Sequence, residues 1–185
     1  MKTALTFLAV AAVFLAPRPS AAQSVATPES PAGPIAIQAS DGELSSEVRL
    51  LVVGGDGMSN RLRFDAAAQE YRRAADVARR EGHLASGTTW KAATAYFYDG
   101  NLAAAAGVLD QLANEAALVG DLQVEALSIY YSAWLNGKAG RKTQSAARAE
   151  RLEGLLRSRY MPVAVRDALN SWLANAKAVA VGAGN

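Results

Sequence analysis

The distribution of proline constrains this chain more than any other feature. Three of its six prolines lie close together, at Pro28, Pro31 and Pro34. No further proline follows until Pro162, so helices can extend through a run of about 125 residues without the residue that breaks their hydrogen-bond ladder. Alanine, which has the highest helix propensity, occurs 41 times. The sequence predicts a flexible linker over residues 23–40 and an all-α domain over residues 41–181.

The segment 1–22 has the three-part pattern of a secretory signal peptide. Lys2 supplies a positive charge, residues 4–16 form an apolar stretch of 13, and Ser20-Ala21-Ala22 offers a small-residue cleavage site. The alternative is an uncleaved membrane anchor, but 13 apolar residues are too few for a spanning helix, which needs about 20. We expect cleavage after Ala22, a periplasmic or secreted protein, and no stable membrane insertion of the mature chain.

Charge and residue types argue against several classes of function. Lys and Arg number 19 and Asp and Glu 17, but Lys2 and Arg18 belong to the leader, so 19 − 2 = 17 cations face 17 acids in the mature chain. A neutral chain lacks the electrostatic footprint of nucleic-acid binding. The absence of cysteine excludes disulfides and a cysteine nucleophile, and a single histidine excludes a multi-histidine metal cluster. We expect no nucleic-acid partner, no metal and no cofactor.

A short first helix is predicted near residue 41. Ser40 and Glu43 fit a capping box. Apolar residues then fall on one helical face, namely Leu44, Val48, Leu51 and Val52. The glycines of the segment 54–57 predict a turn that ends this helix, and Ser59 is a candidate cap for the next one.

The same segment, LLVVGGDG, is similar to the phosphate loop of lipid and nicotinamide-dinucleotide kinases, in which glycines let backbone N–H groups approach phosphates. The match covers eight residues, Met58 departs from the usual continuation, and no βαβ pattern surrounds it. We therefore favour the turn.

Two helix pairs in the middle of the chain share a repeated pattern. The first stretch has apolar or small residues at 3/4 spacing, at Phe64, Ala67, Tyr71 and Ala74, and closes at Gly82. The next has the same theme at Ala93, Tyr96, Ala105, Leu109 and Ala116, and closes at Gly120. The two closing glycines are 120 − 82 = 38 positions apart, an interval typical of helical repeats. This pattern resembles the tetratricopeptide (TPR) repeat, especially the long-helix variety of kinesin light chains.

The third copy of the repeat follows the pattern less closely. Leu127, Tyr131 and Trp134 continue it, but the turn over residues 137–141 is longer than the pattern allows and the following helix is out of phase. Pro162 suits the first turn of a last helix, whose inner side would carry Val165, Leu169, Trp172, Leu173 and Ala176. The resemblance implies a TPR-like solenoid of antiparallel helix pairs, with about six to seven helices in all.

The resemblance also implies a binding face. In TPR arrays the first helix of each pair lines a concave surface, and here those helices span about residues 84–99 and 122–136. Positions i, i+4 and i+8 beside the packing residues are Trp90, Thr94 and Tyr98 in the first helix, with counterparts Ser128, Ser132 and Asn136 in the second. We predict that these six residues bind a peptide or protein. The alternative is that Trp90 and Tyr98 pack against the neighbouring repeat.

Other conspicuous residues are interpreted as structural. Four further aromatic residues are predicted to lie in the core, namely Phe97, Tyr130, Tyr131 and Trp134. His83 has no catalytic partner nearby in sequence and is interpreted as an exposed or capping residue. The pairs Arg72-Arg73, Arg79-Arg80 and Arg141-Lys142 are interpreted as a solvated charged face, with a basic patch for an anionic partner as the alternative.

These observations favour a non-enzymatic protein-protein interaction module whose partner the sequence does not identify. The alternative is a structural subunit that self-associates through its helical stack. An enzyme is the third class, but no catalytic constellation in the sequence supports it.

Overall fold

The protein is an all-α helical stack, as predicted. A computed structural model describes the backbone of residues 44–181 and the side chains of residues 44–173, all within one compact unit of the chain. The helices in this range are α1 Ser46–Ser59, α2 Phe64–Arg80, α3 Ser86–Tyr98, α4 Leu102–Val119, α5 Leu122–Lys138, α6 Lys142–Leu156 and α7 Val163–Val181. The leader, 1–22, and the linker, 23–40, lie outside the described residues.

Each helix packs against the next one along the chain, and α5 also packs against α7. Turns of two to six residues join helices that pack against each other, so consecutive helices are antiparallel. Helices α1, α3, α5 and α7 therefore run in one direction and α2, α4 and α6 in the other. The close approach of the helices depends on alanine, since α2 and α4 bury mainly small side chains. They include Ala67, Ala68, Ala74, Ala75 and Ala78 in α2 and Ala105, Ala106, Ala113 and Ala116 in α4. These small side chains let neighbouring helices pack closely.

One kind of turn ends four consecutive helices. Its glycine has a positive φ of +74° to +86°, a conformation that costs other residues strain, at Gly82, Gly100, Gly120 and Gly140. After α3, the Asn101 N–H donates to the Tyr96 carbonyl at 2.9 Å and the Gly100 N–H donates to the Phe97 carbonyl at 3.0 Å. The same pair of bonds recurs at the other three glycines. This is the Schellman arrangement, which satisfies the last carbonyls of a helix.

The turn after α5 was predicted to be too long, and this prediction is wrong. Helix α5 continues through Gly137 to Lys138, so three residues connect α5 to α6, as three connect α3 to α4. The glycines that close α3 and α5 lie 140 − 100 = 40 positions apart, whereas those that close α2 and α4 lie 120 − 82 = 38 apart. The repeat length therefore differs between the two sets of helices.

The segment 54–57 is helical, which contradicts the predicted turn and leaves no phosphate loop there. The reason lies in packing, because a Cβ atom on Gly55 would come within 2.5 Å of Cε1 of Tyr71. Glycine thus allows the ring of α2 to lie against the backbone of α1, and the Tyr71 hydroxyl donates to Oδ1 of Asp56 at 2.6 Å. Ser59 is the last residue of α1 and does not cap α2.

Helix α1 begins at Ser46 and not after Ser40. Its cap is Ser45, whose hydroxyl accepts a hydrogen bond from the Val48 N–H at 3.3 Å. The predicted apolar face is confirmed, since Val48 is buried and Leu44, Leu51 and Val52 pack around it. In the last helix, Val165, Leu169 and Trp172 are buried, as the sequence predicted.

Arginine and acidic side chains join helices that are not consecutive in the chain. Nε of Arg79 in α2 lies 2.8 Å from Oε1 of Glu115 in α4. Nε of Arg148 in α6 lies 2.7 Å from Oδ1 of Asp110 in α4, and a second pair of atoms completes a bidentate contact. These ion pairs hold α2, α4 and α6 side by side.

Helix α4 is the one described helix that is long and apolar enough, by length and composition, to cross a membrane. A third of that stretch is buried inside the stack.

Candidate functional site

Helix α3 leaves one narrow row of side chains accessible. These half-buried residues are Gly87, Trp90, Lys91, Thr94, Phe97 and Tyr98. The other positions of the helix are buried, so the 3/4 spacing of the accessible ones marks a single face.

Helix α5 is buried even more completely. From Val124 onward it leaves only its last turns accessible, at Tyr131, Trp134, Gly137 and Lys138. Ring contacts between Trp90 and Tyr131 at 5.1 Å and between Phe97 and Trp134 at 6.0 Å bring these two accessible rows side by side. We call the combined surface of Trp90, Thr94, Phe97, Tyr98, Tyr131, Trp134 and Lys138 the aromatic stripe.

One set of rings in and beneath the stripe joins α3, α5 and α7. The Trp90 and Tyr131 rings meet edge to face at 5.1 Å, and Tyr130 lies 4.9 Å from Tyr131 and 5.1 Å from Trp172. Such arrangements are favourable beyond the burial of their area. The Nε1 atoms of both tryptophans are shielded from solvent and have no hydrogen-bond partner, so packing and not hydrogen bonding holds these indoles in place.

A second set of rings lies near the turns after α3 and α5. Phe64 stacks on Tyr98 at 5.2 Å, Phe97 lies 5.7 Å from Tyr98, and Phe97 lies 6.0 Å from Trp134. Nζ of Lys138 lies 5.6 Å from the centre of the Trp134 ring, within the range of a cation–π contact. We call Phe64, Phe97, Tyr98 and Trp134 the turn-edge cluster.

Three of the six predicted binding residues lie on the accessible face. Trp90, Thr94 and Tyr98 are half-buried members of the stripe. Trp90 and Tyr98 also pack against neighbouring rings. The sequence analysis treated an accessible position and internal packing as alternatives for these two residues, but each side chain combines both.

The three predicted counterparts in α5 lie inside the protein, because Ser128, Ser132 and Asn136 are buried. The prediction applied the interval between α2 and α4, 38 positions, to two helices that lie 40 positions apart. An error of two positions rotates a side chain by about 200° around a helix, which moves it to the opposite face. The position that corresponds to Thr94 is Trp134.

One of these buried residues, Ser132, connects α5 to its neighbours, whereas Asn136 bonds within α5. The Ser132 hydroxyl donates to Oδ1 of Asp110 in α4 and accepts a hydrogen bond from Nε of Arg148 in α6 at 3.0 Å. The Asn136 amide donates to the Ser132 carbonyl at 2.8 Å. The Ser128 hydroxyl has no hydrogen-bond partner in the structure. The contacts of Ser132 with Asp110 and Arg148 thus help to orient α5 and with it its aromatic face.

The sequence interpretation missed four members of the stripe, because it assigned Phe97, Tyr131 and Trp134 to the core and did not single out Lys138. The available signal was the alignment of Gly100 with Gly140, which would have matched Thr94 to Trp134. A large aromatic residue can belong both to the core and to the accessible stripe, because one part of the ring packs inward while another part remains accessible.

Burial changes the acidity of the tyrosines in and beside the stripe. It raises the pKa of Tyr131 to about 12, and it raises the pKa values of Tyr98 and Tyr130 above the usual range, with a further contribution to Tyr130 from the adjacent Tyr131. The three hydroxyls are therefore protonated at ordinary pH.

An ion pair borders the stripe on the side of α1. Nζ of Lys91 lies 2.7 Å from Oδ1 of Asp56 and 5.3 Å from the centre of the Tyr71 ring. The charge of Lys91 is thereby matched, so the α3 half of the stripe is electrically close to neutral.

The remaining chemistry-bearing residue of the sequence, His83, lies half-buried between α2 and α3. Within residues 44–173, no group of three or more His, Asp or Glu side chains is arranged to hold a metal ion.

Fold and site together define the class of the protein as an antiparallel all-α stack with an accessible aromatic face. Comparisons with models of protein families, with curated proteins and with solved structures gave no significant match.

Proposed function

We propose that the protein is a non-enzymatic interaction module that binds a peptide or protein segment along the aromatic stripe. The observation that carries the proposal is the concentration of half-buried rings on the adjacent, parallel helices α3 and α5, where most other side chains are buried. Tryptophan and tyrosine offer a large contact area at a small cost in conformational entropy, and they dominate the energetics of protein interfaces.

The rings are also held in place before any partner arrives. Trp90 packs against Tyr131, and Tyr98 is held between Phe64 and Phe97. A partner therefore loses little binding energy to ordering these side chains.

The proposal also includes a TPR-like architecture and export from the cytoplasm. The alternation of helices and the regular interval between their closing glycines support a TPR-like array, and the pattern of residues 1–22 supports export to the periplasm or beyond, followed by cleavage. A peptide-binding face suits both.

Selection from a display library of random 12-residue peptides, followed by anisotropy titrations, tests the proposal. The purified chain is compared with a Tyr98→Ala, Trp134→Ala variant, and Tyr160→Ala serves as the control because this tyrosine is 69% exposed on the opposite edge of the stack. We expect selected peptides to bind the parent and the control equally and the double variant at least about tenfold more weakly, as for loss of a hot spot. Circular dichroism verifies that the three chains are equally helical. Equal affinity for all three chains, or failure to select any peptide, would refute the proposal.

A second candidate function, self-association, is favoured by a different surface. Leu84, Val119, Leu122, Tyr160 and Pro162 line an open depression of about 600 Å³ at the edge formed by the turns before α3, α5 and α7. Next to it in the chain, Leu118 is 88% exposed and Val163 is 66% exposed. Exposed apolar patches of this kind often mark protein interfaces.

Light scattering over a hundredfold range of concentration distinguishes this candidate. Self-association predicts a mass that rises with concentration and returns to that of the monomer in a Leu118→Lys, Tyr160→Lys variant. A constant monomeric mass for the parent chain would rule it out.

A further inference from the structure

Three cations follow one another at the turn between α5 and α6. Lys138 ends α5, Arg141 is the N-cap of α6, and Lys142 is its first residue. Among the described residues none of the three takes part in an ion pair. We call these three residues the basic turn.

The guanidinium of Arg141 is the least satisfied group of this turn. Its Nε and Nη2 atoms are shielded from solvent and have no hydrogen-bond partner, although the residue as a whole is only half-buried. Unpaired guanidinium donors are unfavourable, and a carboxylate is the partner whose geometry fits them best. To bind such a group, the Arg141 side chain must rotate so that these donors face the solvent.

The position of two of the cations, Arg141 and Lys142, is unfavourable for the free protein as well. The N-terminus of a helix carries a partial positive charge, yet α6 has Arg141 and Lys142 there and no acidic residue in its first turn. Helices α4 and α5 are instead capped by Asn101 and Asp121, whose side chains accept hydrogen bonds from the backbone. An anion bound at the basic turn would relieve both the unpaired donors and the repulsion by the helix dipole.

The basic turn adjoins the aromatic stripe directly. Lys138 lies over Trp134, which belongs to the turn-edge cluster. The turn between α1 and α2, on the same edge of the stack, adds the exposed Arg61 and Arg63. Against these five cations the edge has the two exposed acids Asp65 and Asp99.

We infer that the segment bound by the aromatic stripe is acidic, with apolar side chains on the turn-edge cluster and carboxylates at the basic turn. The inference rests on the proposed function and specifies the class of partner. Although the mature chain is neutral in total, its stripe is close to neutral beside α1 and positive beside α6, so a bound acidic segment has a preferred place and direction.

Three fluorescein-labelled 12-residue peptides test the inference. They share Phe, Leu and Trp at the same positions and differ in the intervening residues, which are Glu, Gln or Lys. Anisotropy titrations with the full chain at 50 mM NaCl should give a Kd for the Glu peptide about tenfold below that for the Gln peptide, and the Lys peptide should bind most weakly. The preference should shrink at 500 mM NaCl, because salt screens partly exposed charges.

A matched pair of variants locates the preference. Lys138→Gln, Arg141→Gln, Lys142→Gln removes the basic turn, whereas Arg80→Gln, Arg157→Gln, Arg159→Gln removes three exposed charges at the opposite edge of the stack, where α2 and α6 end. We expect the first variant to bind the Glu and Gln peptides equally and the second to keep the parent's preference. If the triple change unfolds α6, a Lys138→Gln, Lys142→Gln variant, which keeps the N-cap residue Arg141, takes its place. This double variant should prefer the Glu peptide over the Gln peptide less strongly than the parent does.

The outcomes separate the inference from the proposed function. Equal binding of the three peptides by the parent chain, or a preference that the control variant loses as well, would overturn the inference and leave the aromatic stripe as a binding face. No binding of any peptide would overturn both. Sedimentation with phosphatidylglycerol vesicles that depends on the basic turn, without a preference for the Glu peptide, would assign the turn to a lipid surface instead.

Discussion

Gly55 determines how closely α1 and α2 can approach. A Cβ atom there would lie 2.5 Å from Cε1 and 2.7 Å from Cδ1 of Tyr71, whereas a Cβ on Gly54 would meet nothing within 4 Å. Two neighbouring glycines of one helix therefore have opposite roles, one required by packing and the other not.

Replacement of these two glycines by alanine should change stability in opposite directions. Gly55→Ala must displace the Tyr71 ring and disturb its hydrogen bond to Asp56, so we expect a loss of about 1–3 kcal/mol in the free energy of unfolding. Gly54→Ala should add about 0.5–1 kcal/mol, because alanine is the better helix former at an exposed position. Urea denaturation followed by circular dichroism measures both values. A stabilised Gly55→Ala variant would show that the close contact is not present.

At the scale of the elements, the sequence predicted where the helices lie more successfully than it predicted which residues of a helix face outward. The long helices α2 to α5 follow from apolar spacing and from the turn glycines, and their bounds differ by only a few residues from those expected. The prediction of a turn at the GGDG segment was wrong because the propensity of glycine for turns is a local property. The contact of Gly55 with Tyr71 joins residues 16 positions apart and is not visible in the local sequence.

The predicted binding residues lie on an accessible face in one helix only. Trp90, Thr94 and Tyr98 lie on the accessible face of α3, but the transfer to α5 used the interval between α2 and α4. Gly100 and Gly140 give the interval of 40, but the sequence alone does not show that these two glycines close α3 and α5. The buried Ser132 and Asn136 were also misleading, because polar residues on a helix suggest an outward face unless their internal partners are known.

One of those internal partners, Asp110, couples α4 to α6. Its carboxylate binds the Arg148 guanidinium in a bidentate contact that is about three-quarters buried, with side-chain exposures of 27% and 26%. A double-mutant cycle of Asp110→Asn and Arg148→Met should give a coupling energy of about 1–2 kcal/mol. The pair Glu70–Arg73, in which the arginine is 67% exposed, is the comparison and should give at most about 0.5 kcal/mol. Equal coupling in the two cycles would contradict a special role for the bidentate pair in joining the helices.

At the scale of the whole molecule, the tyrosines make stability depend on alkaline pH. Burial raises the pKa of Tyr131 to about 12 and raises the pKa values of Tyr98, Tyr130 and Tyr71, the last also through its hydrogen bond to Asp56. A tyrosine in the unfolded chain ionises near pH 10. Between pH 10 and about 12 the unfolded state thus holds fewer protons than the folded state, so the free energy of unfolding must fall as the pH rises.

The contribution of Tyr131 to this dependence can be isolated by removing its hydroxyl. Below pH 10 the stabilisation from the raised pKa is fully present, and it is lost as the pH rises through about 12. We therefore expect Tyr131→Phe to lose less stability than the parent between pH 9 and pH 11.5 in urea denaturation series, while Tyr160→Phe, altered at an exposed ring, follows the parent. Because the same burial holds Tyr131 between Trp90 and Trp172, the difference also reports whether the rings of α3, α5 and α7 are packed together in solution. Identical slopes for the parent and Tyr131→Phe would mean that Tyr131 is solvated and that the stripe is not held in place from below.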